Sequence, residues 1–82
     1  MFQKVQSVQP LPGFILLVTF INGEQKRYHV KPLLSKWEQF KALATTHGLF
    51  EQVKVDVGGY GISWNDDIDL ACDELYHNGI TG

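Results

Sequence analysis

Carboxylates crowd one short stretch of the sequence, ISWNDDIDL at residues 62–70. Asp66, Asp67 and Asp69 fall within four positions, and Asp73 and Glu74 follow shortly after them. Carboxylates this close together could bind a divalent cation or take part in acid/base chemistry. The neighbouring residues decide whether either chemistry is available.

The spacing of the stretch does not match a calcium-binding loop. An EF-hand loop that began at Asn65 would have Asp67 and Asp69 at its third and fifth positions. Leu70 would then stand where the loop needs glycine, and Tyr76 where it needs a bidentate glutamate. Asp73 and His77, four residues apart, would supply only two ligands, too few for a zinc site. The sequence therefore predicts no metal and no cofactor.

Nucleophilic and general-base catalysis also lack a sequence pattern. Cys72, the single cysteine, lies among carboxylates, whereas a reactive thiolate needs cationic neighbours. We expect it to be a small buried residue. The histidines, His29, His47 and His77, carry no catalytic motif. No catalytic residue is predicted. A small enzyme that combines Asp66, Asp67 and Asp69 with a histidine remains an alternative.

The acidic stretch is also typical of a turn that leads into a helix. Asp66 and Asp67 suit a turn, because short carboxylates accept hydrogen bonds from nearby backbone N–H groups. Asp69 is predicted to cap a short helix over residues 70–76, with Asp73 and Glu74 near its positive end. The three aspartates are therefore expected to be structural.

Composition limits the class of protein. The 82 residues are enough for one domain, residues 1–82, and 44% are hydrophobic. A net charge of −2 with scattered basic residues argues against nucleic-acid binding. A weak nucleic-acid surface of Lys26, Arg27 and Lys31 beside Tyr28 is kept as an alternative. The single cysteine favours a cytoplasmic protein, and the longest apolar run, FILLVTFI, is too short to span a membrane.

Two hairpins are indicated by their turn residues. Asn22-Gly23 follows FILLVTFI, and a two-residue turn there would place Leu17 opposite Tyr28 and Thr19 opposite Lys26. Gly58-Gly59 separates two alternating segments and predicts that Val57 faces Tyr60, Val55 faces Ile62 and Val53 faces Trp64, all on one buried face. An additional strand is expected at residues 3–9.

One longer helix is predicted between the hairpins, from Ser35 to about Thr46. The residues Ser35-Lys-Trp-Glu38 match a capping box. Trp37, Phe40 and Leu43 then recur at helical spacing, so Trp37 is expected to be buried. Trp64 is expected to be buried on the inner face of the second hairpin. The predicted class is α+β: a small antiparallel sheet of two hairpins plus the N-terminal strand, the longer helix and a short C-terminal helix.

The two-residue turn leaves one apolar face of the first hairpin for a partner. It places Ile15 and Leu17 under the longer helix and turns the other face away from it. That second face is expected to bind a protein partner or a second copy unless the C-terminal segment covers it. Its predicted residues are Leu16, Val18, Phe20, Arg27 and His29.

The order of the motifs resembles the DUF2442 family of small bacterial proteins. The resemblance covers residues 5–79 and rests on V-x-x-V-x-P, F-x-N-G-E, Y-H-V-x-P-L-L, L-F-x-x-V-x-V, W-N-D-D-I-D-L and D-E-L-Y-x-N-G. The same fold occurs as the N-terminal domain of some longer helix-turn-helix proteins. The resemblance implies no catalytic residues and an antitoxin-like, partner-binding role. His29 stands where the family pattern usually has an acidic residue. The sequence thus predicts a non-enzymatic protein-interaction module.

Overall fold

Two antiparallel sheets and three α-helices form the part of the fold that the computed structural model describes, residues 3–81. Residues 1, 2 and 82 of the predicted domain lie outside this range. The strands are β1 (Val5–Leu11), β2 (Ile15–Phe20), β3 (Gln25–His29), β4 (Lys54–Val55), β5 (Gly61–Asn65), β6 (Ile68–Ala71) and β7 (Ile80–Thr81). The helices are α1 (Lys31–Lys36), α2 (Ala42–Thr45) and α3 (Cys72–Asn78). The strand orders are β1-β2-β3-β7 and β4-β5-β6, and the predicted α+β class is confirmed.

Phe20 and Glu24 close the first hairpin and leave a loop of three residues, 21–23, so the predicted two-residue turn is wrong. The N–H of Phe20 donates to the carbonyl of Glu24 at 2.9 Å, and the N–H of Gly23 donates to the carbonyl of Phe20 at 2.9 Å. Gly23 has a φ of +91°, a left-handed conformation that glycine adopts without strain. Three-residue hairpin loops commonly place a left-handed residue at this position.

The extra loop residue shifts the register of the first hairpin by one. Leu16 lies opposite Tyr28, and Leu17 lies opposite Arg27 rather than opposite Tyr28. Because side chains alternate between the two faces of a strand, a shift of one residue exchanges the faces. The side chains predicted to point outwards from β2 therefore point inwards.

Leu16, Val18 and Phe20 are fully buried, so their predicted place on an exposed partner-binding face is wrong. The C-terminal segment provides their cover. Leu75 of α3 is buried in the same core, and the ring of Tyr76 meets the ring of Phe20 edge-on at 5.0 Å. The inner face of the four-stranded sheet is thus closed by this chain itself.

The segment between the sheets is not one helix. α1 begins at Lys31 with Pro32 in its first turn, where proline is well tolerated, and it ends before Trp37. A 3₁₀ turn, Glu38–Lys41, and then α2 follow. The Ser35 hydroxyl donates to the carbonyl of Pro32 at 3.3 Å, so the predicted capping box is wrong. The backbone bends away from helical geometry at Trp37, two residues after the predicted start.

The second sheet keeps only part of its predicted pairing. Val55 pairs with Ile62 as predicted, but residues Val57–Gly59 form a 3₁₀ turn and Val57 is 98% exposed. The predicted burial of Val57 opposite Tyr60 is therefore wrong. Gly59 has a φ of +78°, and a Cβ there would lie 2.7 Å from the carbonyl oxygen of Val5. Glycine thus allows this turn to close against β1.

Candidate functional site

The acidic stretch forms the tight turn between β5 and β6. The Asn65 side-chain oxygen accepts hydrogen bonds from the N–H groups of Asp67 at 2.8 Å and Ile68 at 3.0 Å. Asp66 and Asp67 are exposed in this turn, as predicted. Asp69 lies within β6 opposite Ser63, and α3 starts three residues later without a side-chain cap. The predicted helix-capping role of Asp69 is therefore wrong.

Asn65, and not the aspartates, is expected to stabilise this turn. Replacement of Asn65 by alanine removes the acceptor of two backbone N–H groups and should lower the free energy of unfolding by about 1–2 kcal/mol. Asp66→Ala, the control in the same turn, should change it by less than about 0.5 kcal/mol. Urea unfolding measures both changes. A larger loss for Asp66→Ala than for Asn65→Ala would contradict this role.

The described chain does not gather the groups that metal or acid/base chemistry needs. Among residues 3–81, no three His, Cys, Asp or Glu side chains lie close enough to hold a metal ion, and no pocket opens in their surface. Cys72 is buried, as predicted. His29, His47 and His77 are exposed, and no hydrogen bond in the described region joins them to the loop carboxylates. The structure therefore offers no assembled site for the enzymatic alternative.

Polar contacts fasten α3 to β3. The Tyr28 hydroxyl donates to Glu74 at 2.7 Å, and the Tyr76 hydroxyl donates to Glu24 at 2.6 Å. Lys26 donates to the carbonyl of Tyr76 at 2.5 Å, and its ammonium lies 3.9 Å from the centre of the Tyr76 ring. Lys26 and Tyr28, two of the residues suggested for nucleic-acid binding, thus hold the C-terminal helix in place.

The two tyrosine–glutamate contacts raise the pKa of both tyrosines. Burial raises the pKa of Tyr28 well above its ordinary value, and the hydrogen bond to Glu74 raises it further. The hydrogen bond to Glu24 raises the pKa of Tyr76, and the same bond lowers the pKa of Glu24. The folded chain therefore favours neutral tyrosines.

Stability is expected to fall at alkaline pH. The unfolded chain begins to release its tyrosine protons near pH ~10, whereas folded Tyr28 holds its proton to higher pH. The contribution of Tyr28 to stability is thus fully present below pH ~10 and is lost as the pH rises towards the raised pKa of the folded state. Tyr28→Phe should remove part of this pH dependence between pH ~10 and ~11, where the unfolded tyrosine has begun to ionise and folded Tyr28 has not. Urea midpoints across that range measure the effect; identical curves for wild type and Tyr28→Phe would contradict it.

The outer side of the four-stranded sheet forms what we call the open sheet face. Cross-strand partners share a face, which places Leu17 beside Arg27 and Ile15 beside His29 on the side opposite the core. Ile15 and Leu17 are partly exposed and do not belong to the hydrophobic core, and Ile80 of β7 is 57% exposed. Leu11, opposite Ile15, is a further apolar residue of the face, and the polar ones are Ser7, Gln9, Thr19 and Gln25.

Arg27 and His29 are exposed, but their predicted apolar neighbours were the wrong set. Ile15 and Leu17 replace Leu16 and Val18 beside them. The prediction failed at the length of the hairpin loop. A loop of three residues, instead of two, places Ile15 and Leu17 on the outer side of β2.

Trp37 is 48% exposed, so its predicted burial is wrong. Phe40, three residues later, is buried instead and packs edge-on against Trp64 with ring centres 6.0 Å apart. The Lys36 ammonium lies 5.6 Å from the centre of the Trp37 ring. We call Trp37 and Lys36, with Lys31 and Lys41 of the same segment, the basic tryptophan patch. Burial of the exposed part of an indole against a partner would contribute roughly 2–3 kcal/mol.

These features define a small two-sheet α+β domain whose exposed apolar side chains include those of the open sheet face and of the basic tryptophan patch. A family model described as "Protein of unknown function (DUF2442)" matches residues 5–81. The chain belongs to this family, as the sequence resemblance predicted. No curated protein and no solved structure matches the chain. Within residues 3–81, no helix has the length and apolar character needed to cross a bilayer.

Proposed function

We propose that this domain is a non-enzymatic protein-interaction module that binds a partner protein through the open sheet face. One observation carries the proposal: α3 closes the inner face of the four-stranded sheet, while Ile15, Leu17 and Ile80 remain outside the core. Exposed apolar side chains grouped on one face are typical of association sites. Polar neighbours around an apolar centre suit an interface that forms and dissociates.

The size of the open sheet face limits the kind of contact it can make. Three strands about 20 Å long and the two-residue β7, all about 4.8 Å apart, present roughly 300 Å², less than half of the ~800 Å² that each partner of a standard interface buries. A stable complex must therefore extend past the edges of the sheet, and a contact limited to the face should be transient. A second copy of this chain is one possible partner in either case.

The biological setting of the proposal rests on the family resemblance and not on the geometry. An antitoxin-like role in a bacterial cytoplasm would require a protein partner and no catalytic groups of this chain. An exposed face without an assembled active site in the described residues is compatible with that requirement. The cytoplasmic setting is further supported by the single, buried thiol of Cys72.

Substitution of Leu17 by glutamate tests the proposal. The variant places a charge at the centre of the open sheet face and should abolish a dimer in sedimentation, or retention of a partner protein on the tagged domain from its native host. Val57→Glu, at a fully exposed turn away from the face, is the matched control and should bind like wild type. A wild-type domain that is monomeric and retains no protein would refute the proposal, as would undiminished binding by Leu17→Glu.

A further inference from the structure

We infer that the basic tryptophan patch is a second docking point, which takes an acidic segment of a protein partner that carries an apolar side chain. The patch lies on α1 and the 3₁₀ turn, outside the strands that make up the open sheet face. The inference goes beyond the proposed function because it assigns a separate surface and the chemistry of its ligand. It stands on the backbone geometry at Trp37 and on the distribution of charge around it.

The backbone holds Trp37 in a fixed, outward position. The N–H of Trp37 donates to the carbonyl of Leu33 at 3.0 Å, and its carbonyl accepts from the N–H of Phe40 at 3.1 Å. Phe40 is buried and Leu33 packs partly against the core, so both sides of Trp37 are anchored. Because the backbone at Trp37 is already ordered, binding there restricts only the side chain, and tryptophan is enriched among the residues that dominate interface energies.

Positive charge is concentrated in the segment that carries this indole. Residues 31–41 contain three lysines and one glutamate, a local charge of +2, while the whole chain has −2 and the rest of it therefore −4. Lys41 is paired with Glu38 at 3.3 Å. Lys31 and Lys36 are exposed, and no carboxylate of the described chain pairs with them. Carboxylates placed beside an apolar side chain are the complement of an exposed indole with one lysine at 5.6 Å and a second lysine on the same helix.

The charge of the remaining chain favours a short acidic protein segment over larger polyanions. At physiological ionic strength charges are screened beyond ~8 Å, so a ligand confined to the patch is little affected by the negative remainder. An extended polyanion runs across the domain, whose radius of gyration is 11.8 Å, and comes close to that remainder. A nucleic-acid strand or an anionic membrane is such a polyanion. A single exposed indole would also stack only one base. A short segment interacts only with residues 31–41, whose net charge is +2.

The octapeptide EELEELEE, labelled with fluorescein, is the probe for this inference. Fluorescence anisotropy should show binding that weakens with added salt. The Lys31→Gln/Lys36→Gln double variant should bind about tenfold more weakly. Trp37→Ala should weaken binding at least as much, whereas Trp37→Phe should retain most of it. Lys54→Gln, which removes a lysine from the second sheet, is the matched control and should bind like wild type.

The two indole N–H signals in the NMR spectrum locate the peptide. EELEELEE should move the signal of Trp37 and leave that of buried Trp64 in place. The inference is refuted if the lysine analogue KKLKKLKK binds equally well, or if an oligothymidylate or phosphatidylserine-containing vesicles bind more tightly than EELEELEE. It is also refuted if no peptide binds or if the Trp37 signal does not move. Leu17→Glu should bind the peptide normally, so this inference and the proposed function fail separately.

Discussion

Trp64→Ala is expected to lower the free energy of unfolding by about 3–5 kcal/mol. Trp64 is 4% exposed, and its ring lies 6.0 Å from that of Phe40 and 6.2 Å from that of Phe50. Its indole N–H also donates to the carbonyl of Phe50 at 3.0 Å, so truncation leaves both a cavity and a buried carbonyl without its donor. A domain of this size is marginally stable, and such a loss should leave much of it unfolded at 25 °C.

Trp37→Ala is the matched control for this expectation. The same substitution at a half-exposed side chain should cost less than about 1 kcal/mol. Urea unfolding followed by circular dichroism compares the two variants without relying on tryptophan fluorescence. Losses of equal size would contradict the different burial of the two indoles.

A second large effect is expected from two adjacent positions of β2. Val18→Glu places a carboxylate in the core, where Val18 is fully buried, and should unfold the domain because a buried, unpaired charge costs several kcal/mol. Leu17→Glu places the same group on the open sheet face opposite Arg27 and should change stability by no more than about 1 kcal/mol. Far-ultraviolet circular dichroism and urea unfolding distinguish the outcomes.

This pair of variants also tests the length of the hairpin loop. A two-residue turn would place Leu17 opposite Tyr28 and point it into the core. Leu17→Glu would then unfold the domain, and Val18→Glu would be tolerated. That reversed result would overturn both the three-residue loop and the open sheet face.

The register of this hairpin could not be predicted from its sequence, although the strands could. β2 is ILLVTF, which has apolar side chains on both faces, so alternation does not indicate which face is buried. Asn22-Gly23 is compatible with loops of two or three residues, since both use a glycine with positive φ. α3 determines which face of β2 is buried, because Leu75 and Tyr76 pack against one face of the sheet only.

The helical segment shows a similar limit of periodicity. Phe40 and Leu43 are three residues apart, a spacing that places side chains on one face of either an α-helix or a 3₁₀ turn. Both are buried, as predicted, but the backbone changes from one geometry to the other between them. Pro32 was the stronger local signal, because proline commonly occupies the first turn of a helix. It indicates a helix that begins before Ser35 and leaves Trp37 at its end.

Asp69 illustrates how tertiary pairing overrides a local preference. An aspartate shortly before a helical segment is a common N-cap. In this chain the sequence Ile68–Ala71 pairs with β5 instead, and this pairing moves the start of the helix to Cys72. Two local features were predicted correctly, namely the turn at Asp66 and the acidic first turn of α3. The pairing of Ile68–Ala71 with β5 was not predicted, because it depends on the neighbouring strand.

The cover that α3 provides has a consequence for the order of events during biosynthesis. The contacts that fasten α3 join residues separated by 46 to 52 positions in the chain. Translation at 5–20 residues per second needs roughly 2–10 s to add that many residues, and contacts between distant positions form late in folding. The first hairpin therefore leaves the ribosome with Leu16, Val18 and Phe20 uncovered, in a form that chaperones and proteases can recognise. The hairpin becomes inaccessible to chaperones and proteases once α3 has been synthesised and packs against it.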